Sequence, residues 1–319
     1  MRNQLEYIYL VYQKGSFSKA AQALYLTQPA LSIAIQKIEN EIGMPLFDRN
    51  QKPLGLTAAG RIYIDKIEQM RVLETELQSQ LLDLTDMNTG TLRIGATSYI
   101  ISRILPPVLL AFKKEYPGIS LDIVEAGAYE LKELLRDRKL DFTFISQLAK
   151  DPDFSYYPGF RDQIILAVPV SFPINKKLRK AAMTCADVQA NRHWDSGQPY
   201  INLKDFEDTP FILLESKYDL RRRTDAFFSE CAASPNICME ITQIVTAFSL
   251  ALTGIGATFV PDRAVKENHP ELVFYKLPSQ QTVRNMHIVI NNKRYMSKAA
   301  NRFIDMFVSS YKIGHKPMY

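Results

Sequence analysis

No stretch of this sequence approaches the ~18 consecutive apolar residues that a helix needs to cross a bilayer, so no membrane partner is expected. Cysteine is scarce. Cys185, Cys231 and Cys238 are an odd set without metal-type spacing, which argues against a disulfide framework and fits a reducing compartment. The histidines, His193, His269, His287 and His315, are scattered and offer no zinc spacing. Gly-x-Ser-x-Gly, a phosphate-loop lysine and His-Glu-x-x-His are all missing. Gly254-Ile255-Gly256-Ala257-Thr258-Phe259 lacks the third glycine of a dinucleotide fingerprint and precedes a strand where that motif would follow one. No catalytic residue, metal or cofactor is therefore expected. The opening residues, Met1 to Val11, mix Arg2, Asn3, Gln4 and Glu6 with apolar side chains and carry no signal-peptide core. A soluble, cytoplasmic protein is the expectation.

What is present suffices for more than one domain: 319 residues, 46% of them apolar. The net charge of +5 is a weak pointer to nucleic acid, and its distribution says more. Residues 1–60 hold six Lys or Arg against four Asp or Glu, and residues 61–87 hold three against six. No segment is a strongly basic arm. If the chain binds DNA, single-site electrostatics are modest and affinity must come from linked copies of the reader.

Leu5, Ile8 and Val11 fall on one side of a first helix ending at Gly15. Ser16 then offers an N-cap hydroxyl to the helix-forming run Lys19 to Leu24. Thr27 is a second N-cap candidate, with Gln28 and Pro29 in the first turn, where proline is tolerated. The third helix would bury Leu31, Ala34, Ile35 and Ile38 and present Gln28, Pro29, Ser32, Ile33, Gln36 and Lys37. A short helix, a tight turn and a second helix with a small, polar, amide-bearing outer face make a helix-turn-helix. Such a helix can enter the major groove N-terminus first, where Gln can pair bidentately with adenine. Spacing alone also allows a plain surface helix pair with no ligand.

The run Gly15-Ser16-Phe17-Ser18-Lys19-Ala20-Ala21, Thr27-Gln28-Pro29-Ala30-Leu31-Ser32, Ile38-Glu39, Gly43-Met44-Pro45-Leu46-Phe47-Asp48-Arg49 and Leu56-Thr57-Ala58-Ala59-Gly60 resembles, without a gap, the winged helix-turn-helix of LysR-type regulators. The resemblance implies a DNA-facing set of Ser18, Thr27, Gln28, Pro29, Ser32, Ile33, Gln36 and Lys37, with Arg49 and Lys52 at the wing. For Arg49 a salt bridge within the domain is an equal alternative. Ile33 and Ala34 depart from the family, where many relatives carry a basic and a polar residue. Ile33 cannot hydrogen-bond, so it either touches thymine methyls or is silent.

From Ala58 to about Asp86 only Gly60 interrupts a helical pattern, and Tyr63, Met70, Leu77 and Leu84 recur every seven residues beside a second seam of Ile67 and Leu81. A helix of this length cannot bury its stripe within sixty residues. It therefore pairs with a second copy or docks on its own chain. Asn88-Thr89-Gly90 reads as a hinge. The domains are then 1–58 for the reader, 59–89 for the linker helix and hinge, and 90–319 for the remainder.

Beyond the hinge, strands and helices alternate as βαβαβ, which calls for a parallel sheet with covering helices. A second set follows: strands at Ile164–Val168, Phe211–Leu214, Cys238–Ile241, Ala257–Val260, Val273–Leu277 and Met286–Ile290, and a last helix at Lys298–Ser310. Two α/β halves leave a cleft, the usual place for a small ligand. This part also resembles the family, more weakly, through Leu105-Pro106, Tyr116-Pro117, Leu140-Asp141 and Ile244-Val245 to Pro261. That implies an α/β effector domain of the type 2 periplasmic-binding-protein kind. One subdomain is about 91–162 plus 268–311 and the other about 163–267, with a longer connection than usual at 175–205.

Effector contacts are expected at Thr97, Ser98 and Tyr99 after the first strand, where backbone N–H groups and hydroxyls could hold an anion. Further candidates are Gly127 and Ala128, then Ser146 and Gln147, with Ser216, Thr246 and Phe248 opposite. Ordinary capping or loop solvation is the alternative for each. The basic runs Lys176 to Lys180 and Arg221 to Arg223 mark an anionic ligand or are solvated charge. A peroxide-sensing branch of the family uses a cysteine pair where this chain has Asp219 and Phe228, so thiol sensing is not expected. The implied function is a sequence-specific regulator, a homodimer to homotetramer on double-stranded operator DNA, modulated by a small-molecule effector, with RNA polymerase a further candidate partner. The rivals are a solute-binding or enzymatic module with an incidental helical appendage, and a DNA-bound protein whose cleft is empty.

Overall fold

A computed structural model describes residues 2–51, 54–84, 89–146 and 151–311. The chain divides into two compact units, Met1–Leu81 and Leu82–Tyr319. No helix among the described residues is long and apolar enough to cross a membrane.

The first unit runs α1 (Arg2–Lys14), α2 (Phe17–Ala23), α3 (Gln28–Ile42), the two-residue strands β1 (Phe47–Asp48) and β2 (Gly55–Leu56), and α4 (Ala58–Leu82). The local signals act as their chemistry dictates. Ser16 caps α2 by accepting from the Lys19 N–H, Thr27 caps α3 by accepting from Ala30 N–H, and Gly43 ends α3 in the left-handed region. The core joins Ile8 and Val11 of α1, Ala20 and Ala21 of α2, Leu31, Ile35 and Ile38 of α3, Leu46, Phe47, and Ile64 and Ile67 of α4. Ala34, expected in that core, is only half-buried. β1 and β2 pair antiparallel as a small wing. Gly60 is required where α4 passes the wing, because a Cβ there would lie 2.0 Å from the Leu46 carbonyl oxygen.

The turn from α2 to α3 is a Schellman-type closure in which the Leu26 N–H returns to the Ala21 carbonyl. It forces Tyr25 to a φ of 56°, a conformation that costs an L side chain roughly 1–2 kcal/mol. Along α4 the apolar stripe is buried only near its start, and Met70, Leu73, Leu77 and Leu81 are half exposed. The helix stops at Leu82, short of the expected Asp86. Residue Asn88 of the expected hinge lies outside the described residues.

The second unit begins with β3 (Gly90–Ala96), a π-helical turn (Ile100–Ile104) running into α5 (Pro106–Glu115), β4 (Ile119–Glu125), α6 (Ala128–Arg136), β5 (Phe142–Ile145) and β6 (Phe154–Pro169). It continues with α7 (Ile174–Lys177), α8 (Cys185–Gln189), β7 (Pro210–Leu214), α9 (Asp219–Glu230), β8 (Asn236–Ile241), α10 (Ile244–Leu252), β9 (Thr258–Pro261), β10 (Leu272–Tyr275), β11 (Val283–Asn291) and α11 (Lys298–Ser310). A seven-stranded sheet has the order β10-β6-β11-β5-β3-β4, with β9 also on β6. The β3–β4 and β3–β5 pairs are parallel, whereas β11 runs antiparallel to both β5 and β6. The parallel pairing expected of the βαβαβ run thus holds for β3, β4 and β5, and the sheet as a whole is mixed because the returning chain supplies β11 against the run of β5.

β6 joins the two halves. Its first part, Phe154 to Gln163, pairs with β11, and its second, Ile164 to Pro169, pairs with β9 and β10. In the second part alternate residues serve two cores: Ile165 and Ala167 face one, and Ile164, Leu166 and Val168 the other. The chain first crosses near Gln163, but it returns only between Tyr275 and Val283. The return read from the sequence at about 267/268 falls ahead of β10, which borders the same β6 segment as β9. The long connection at 175–205 also gains a reason. Met183 bridges Phe274, and the Ile201 N–H bonds the Lys276 carbonyl, so this segment covers the outer edge of β10.

Candidate nucleic-acid interface and effector cleft

The outward side of α3 carries Thr27, Gln28, Pro29, Ile33, Gln36 and Lys37 exposed and Ser32 half-buried, with Ser18 exposed on α2. Ile33 is 70% exposed. The first turn of α3 contains no acidic residue, so the positive end of its dipole and the N–H groups not engaged by Thr27 face outward uncompensated. Gln36 is held by Asn40, whose side-chain oxygen accepts from the Gln36 amide at 3.2 Å. This surface can accept phosphate and present an amide to base edges.

Arg49 takes the structural alternative at one of its edges. Its Nη2 meets the buried Glu39 carboxylate at 3.2 Å and its guanidinium lies 5.1 Å from the Phe17 ring centroid. Glu39 also accepts from the Leu46 and Phe47 N–H groups at 2.7 and 3.2 Å. One buried carboxylate therefore pins the wing to α3 and aims Arg49, which remains exposed. Lys52 lies outside the described residues.

In the second unit the expected effector residues separate into two groups. Tyr99 and Phe248 are corrected to core positions. Tyr99 is buried with its hydroxyl donating to Asp162 at 3.0 Å, and Phe248 packs edge-on against His269 at 5.3 Å. Burial, then the neighbouring Asp162 carboxylate, pushes the Tyr99 phenol well above its usual range. Thr97 and Ser98 are half-buried, and their carbonyls accept from the Ile101 N–H and the Ser102 hydroxyl. Ala128, Ser216 and Thr246 are exposed, and Gln147 lies outside the described residues.

Gly127 and Ser146 come together against α9. A Cβ on Gly127 would stand 3.9 Å from the Tyr218 ring, and the Ser146 hydroxyl donates to the Asp219 carboxylate at 2.9 Å. Asp219 is the first residue of α9 and also accepts from Arg222 at 2.8 Å and Arg223 at 2.9 Å. Burial opposes its charge, yet the Arg223 bond and charge and the Ser146 bond hold its carboxyl below the ordinary range. Arg223 reaches on to the Gln281 carbonyl. Beneath lies a bidentate pair, Arg284 to Asp162 at 2.8 and 2.6 Å, buried at both ends. Burial works against the Arg284 charge, but Asp162 overrides it and raises the guanidinium pKa.

Tyr218, Asp219 and the Arg284–Asp162 pair were not foreseen from the sequence. An acid in the first turn of a helix directly after a strand was the available signal. The run Arg221 to Arg223 is neither open nor merely solvated: Arg221 meets Asp225 and Glu240, and its neighbours meet Asp219.

Residues 2–61 match the model described as bacterial regulatory helix-turn-helix protein, lysR family, and residues 85–312 match the LysR substrate binding domain. The chain is 27% identical over 308 residues to the HTH-type transcriptional regulator YcgK of Bacillus subtilis, covering 97% of this chain and 94% of that one. It is 26% identical to a probable RuBisCO transcriptional regulator of Trichormus variabilis, covering 94% and 86%. Among solved structures it is similar to full-length CbnR complexed with its target DNA, at a TM-score of 0.68 and 18% identity over 97% of this chain and 99% of that one.

Proposed function

The chain belongs to the LysR family of bacterial transcriptional regulators, with a DNA-binding helix-turn-helix ahead of a substrate-binding domain, and from that premise we propose that α3 reads a specific operator under control of a small molecule held between the halves of the second unit. The observation that carries the reading is the acid-free, outward-facing start of α3, capped by Thr27. Gln28, Pro29 and Ser32 are the base-facing residues, with Ile33, Gln36 and Lys37 along the same face. Ser18, Arg49 and Lys52 contact the backbone beside them. The CbnR structure with its target DNA supports the same use of the unit here.

The exposed stripe of α4 supports assembly into a dimer or a tetramer, so that paired readers meet two half-sites. The effector enters between Gly127 and Ser146 on one side and Tyr218 and Asp219 on the other. To shift the equilibrium it must bind one arrangement of the halves more tightly than the other, and the Ser146–Asp219 bond is the contact it has to replace.

Gel retardation of DNA from upstream of the genes that neighbour its own, over a salt series and with candidate metabolites, tests both parts. Retardation that depends on sequence and weakens with salt, and that a metabolite alters, is the expected result. Binding without sequence preference removes the operator reading. Indifference to every metabolite class removes the effector.

A further inference from the structure

Tyr25 is 98% exposed and sits in the left-handed region in the turn before α3. A left-handed residue at that place in the turn is ordinarily glycine or asparagine, and a bulky aromatic there is a steric outlier. Its ring is not buried, so packing within the free chain does not offset the strain. The other described non-glycine residues with positive φ are Arg138, Asn191 and Ala232. Asn191 is a residue type that tolerates this region, Ala232 has only a methyl group, and the Arg138 carbonyl accepts from Arg294. Tyr25 is the aromatic among them, and strain held without internal return points to a use outside the free molecule.

Its position suggests the use. Tyr25 lies two residues before Thr27, the N-cap of α3. When the start of such a helix enters the major groove, the turn ahead of it rides along the phosphates at the groove's edge, and tyrosine hydroxyls are among the donors to phosphate oxygens. The geometry points to Tyr25 as a backbone-contacting residue of the DNA interface, its hydroxyl donating to a phosphate beside the half-site. This rests on α3 as the reader and adds a residue outside the reading face itself. A phosphate contact positions the protein without reading sequence, so its loss weakens operator and unrelated DNA by the same factor.

The test uses full-length wild type, Y25F and Y25G, with fluorescence anisotropy on the strongest duplex found by genome-wide mapping and on a scrambled duplex. Thermal unfolding of each protein is measured alongside. Both variants are expected to weaken both duplexes by about ten- to a hundredfold, the size of one hydrogen bond to a charged group. Y25G should melt no lower than wild type, because glycine fits the turn. Unchanged affinity in Y25F overturns the phosphate bond, and a changed operator-to-scrambled ratio makes Tyr25 a base reader and overturns it equally. A Y25G protein that melts lower assigns Tyr25 to the fold and overturns it too. Wild type that binds neither duplex removes the reader assignment and this inference together, whereas a wild type that binds beside unaffected variants removes this inference alone.

Discussion

The start of α3 and the start of α9 are the same physical object put to opposite uses. Each presents unsatisfied N–H groups and the positive end of a helix dipole. At α3 the cap is the neutral Thr27 and no acid follows, so the end faces outward without a charge of its own. At α9 the capping residue Tyr218 contributes no side-chain bond, and Asp219 supplies a carboxylate that Ser146, Arg222 and Arg223 already engage. An open end is suited to a phosphate brought from outside. A filled end is suited to holding two parts of one chain together until something replaces the contact.

The sharpest test of that contrast is the polar interior beneath α9. If its charges are engaged with one another, removing one should be costly to the fold, whereas trimming the reader should not. Asp162→Ala leaves the Arg284 guanidinium buried without its partner and also strands the Tyr99 hydroxyl. A loss of about 3–5 kcal/mol in urea unfolding is expected, while Gln28→Ala should change stability by less than about 0.5 kcal/mol. A loss below about 1 kcal/mol for Asp162→Ala would show that the pair is not the scaffold described.

The contrast can next be broken from the other side by giving α3 the acid that α9 has. Gln28→Asp places a carboxylate in the first turn, which should stabilise the helix by about 0.3–1 kcal/mol while repelling phosphate. Gln28→Ala should weaken operator binding by about 1–3 kcal/mol through the lost base contact, and Gln28→Asp should weaken it further. Anisotropy titrations at fixed salt measure both. An aspartate variant that binds as wild type would mean that this end of α3 does not meet the nucleotides.

The two regions also differ in how far the sequence revealed them. In the first unit the determinants are local: Ser16 and Thr27 cap helices three residues ahead, Gly15 and Gly43 end them, and the wing follows at once. The last helix, Lys298–Ser310, has the bounds expected of it, and Ser297 caps it by accepting from the Ala300 N–H. β6 begins at Phe154, ten residues ahead of the expected strand at Ile164–Val168, and runs through Pro158-Gly159, a pair that usually marks a turn. It is instead a bulge where the register against β11 shifts at Met286 and His287, and a Cβ at Gly159 would come within 2.7 Å of the Met286 carbonyl oxygen. The candidate effector site was least legible. Ser146 and Asp219 are 73 residues apart and Asp162 and Arg284 are 122 apart, and no periodicity reports such a pairing. Tyr99 and Phe248 were placed by strand and helix ends, a rule that does not say which side chains turn inward.

The smallest expected effect concerns the filled end itself. Asp219→Asn keeps the shape and removes the charge that Arg222, Arg223 and Ser146 engage, so at neutral pH it should lower stability by about 1 kcal/mol. The dependence on pH carries the sign. Asp219 titrates below the ordinary aspartate value in the folded chain, so the unfolded chain takes up its proton first as the medium is acidified. Its contribution is therefore complete above the unfolded value of about 3.9, and it is lost as pH falls through the lower folded value. Unfolding of wild type and D219N compared between pH 7 and pH 3 should show a constant gap that begins to close only below about pH 4. A gap that closed nearer neutrality would mean that Asp219 is not held as an anion by its neighbours. The start of α9 would then be as open as that of α3.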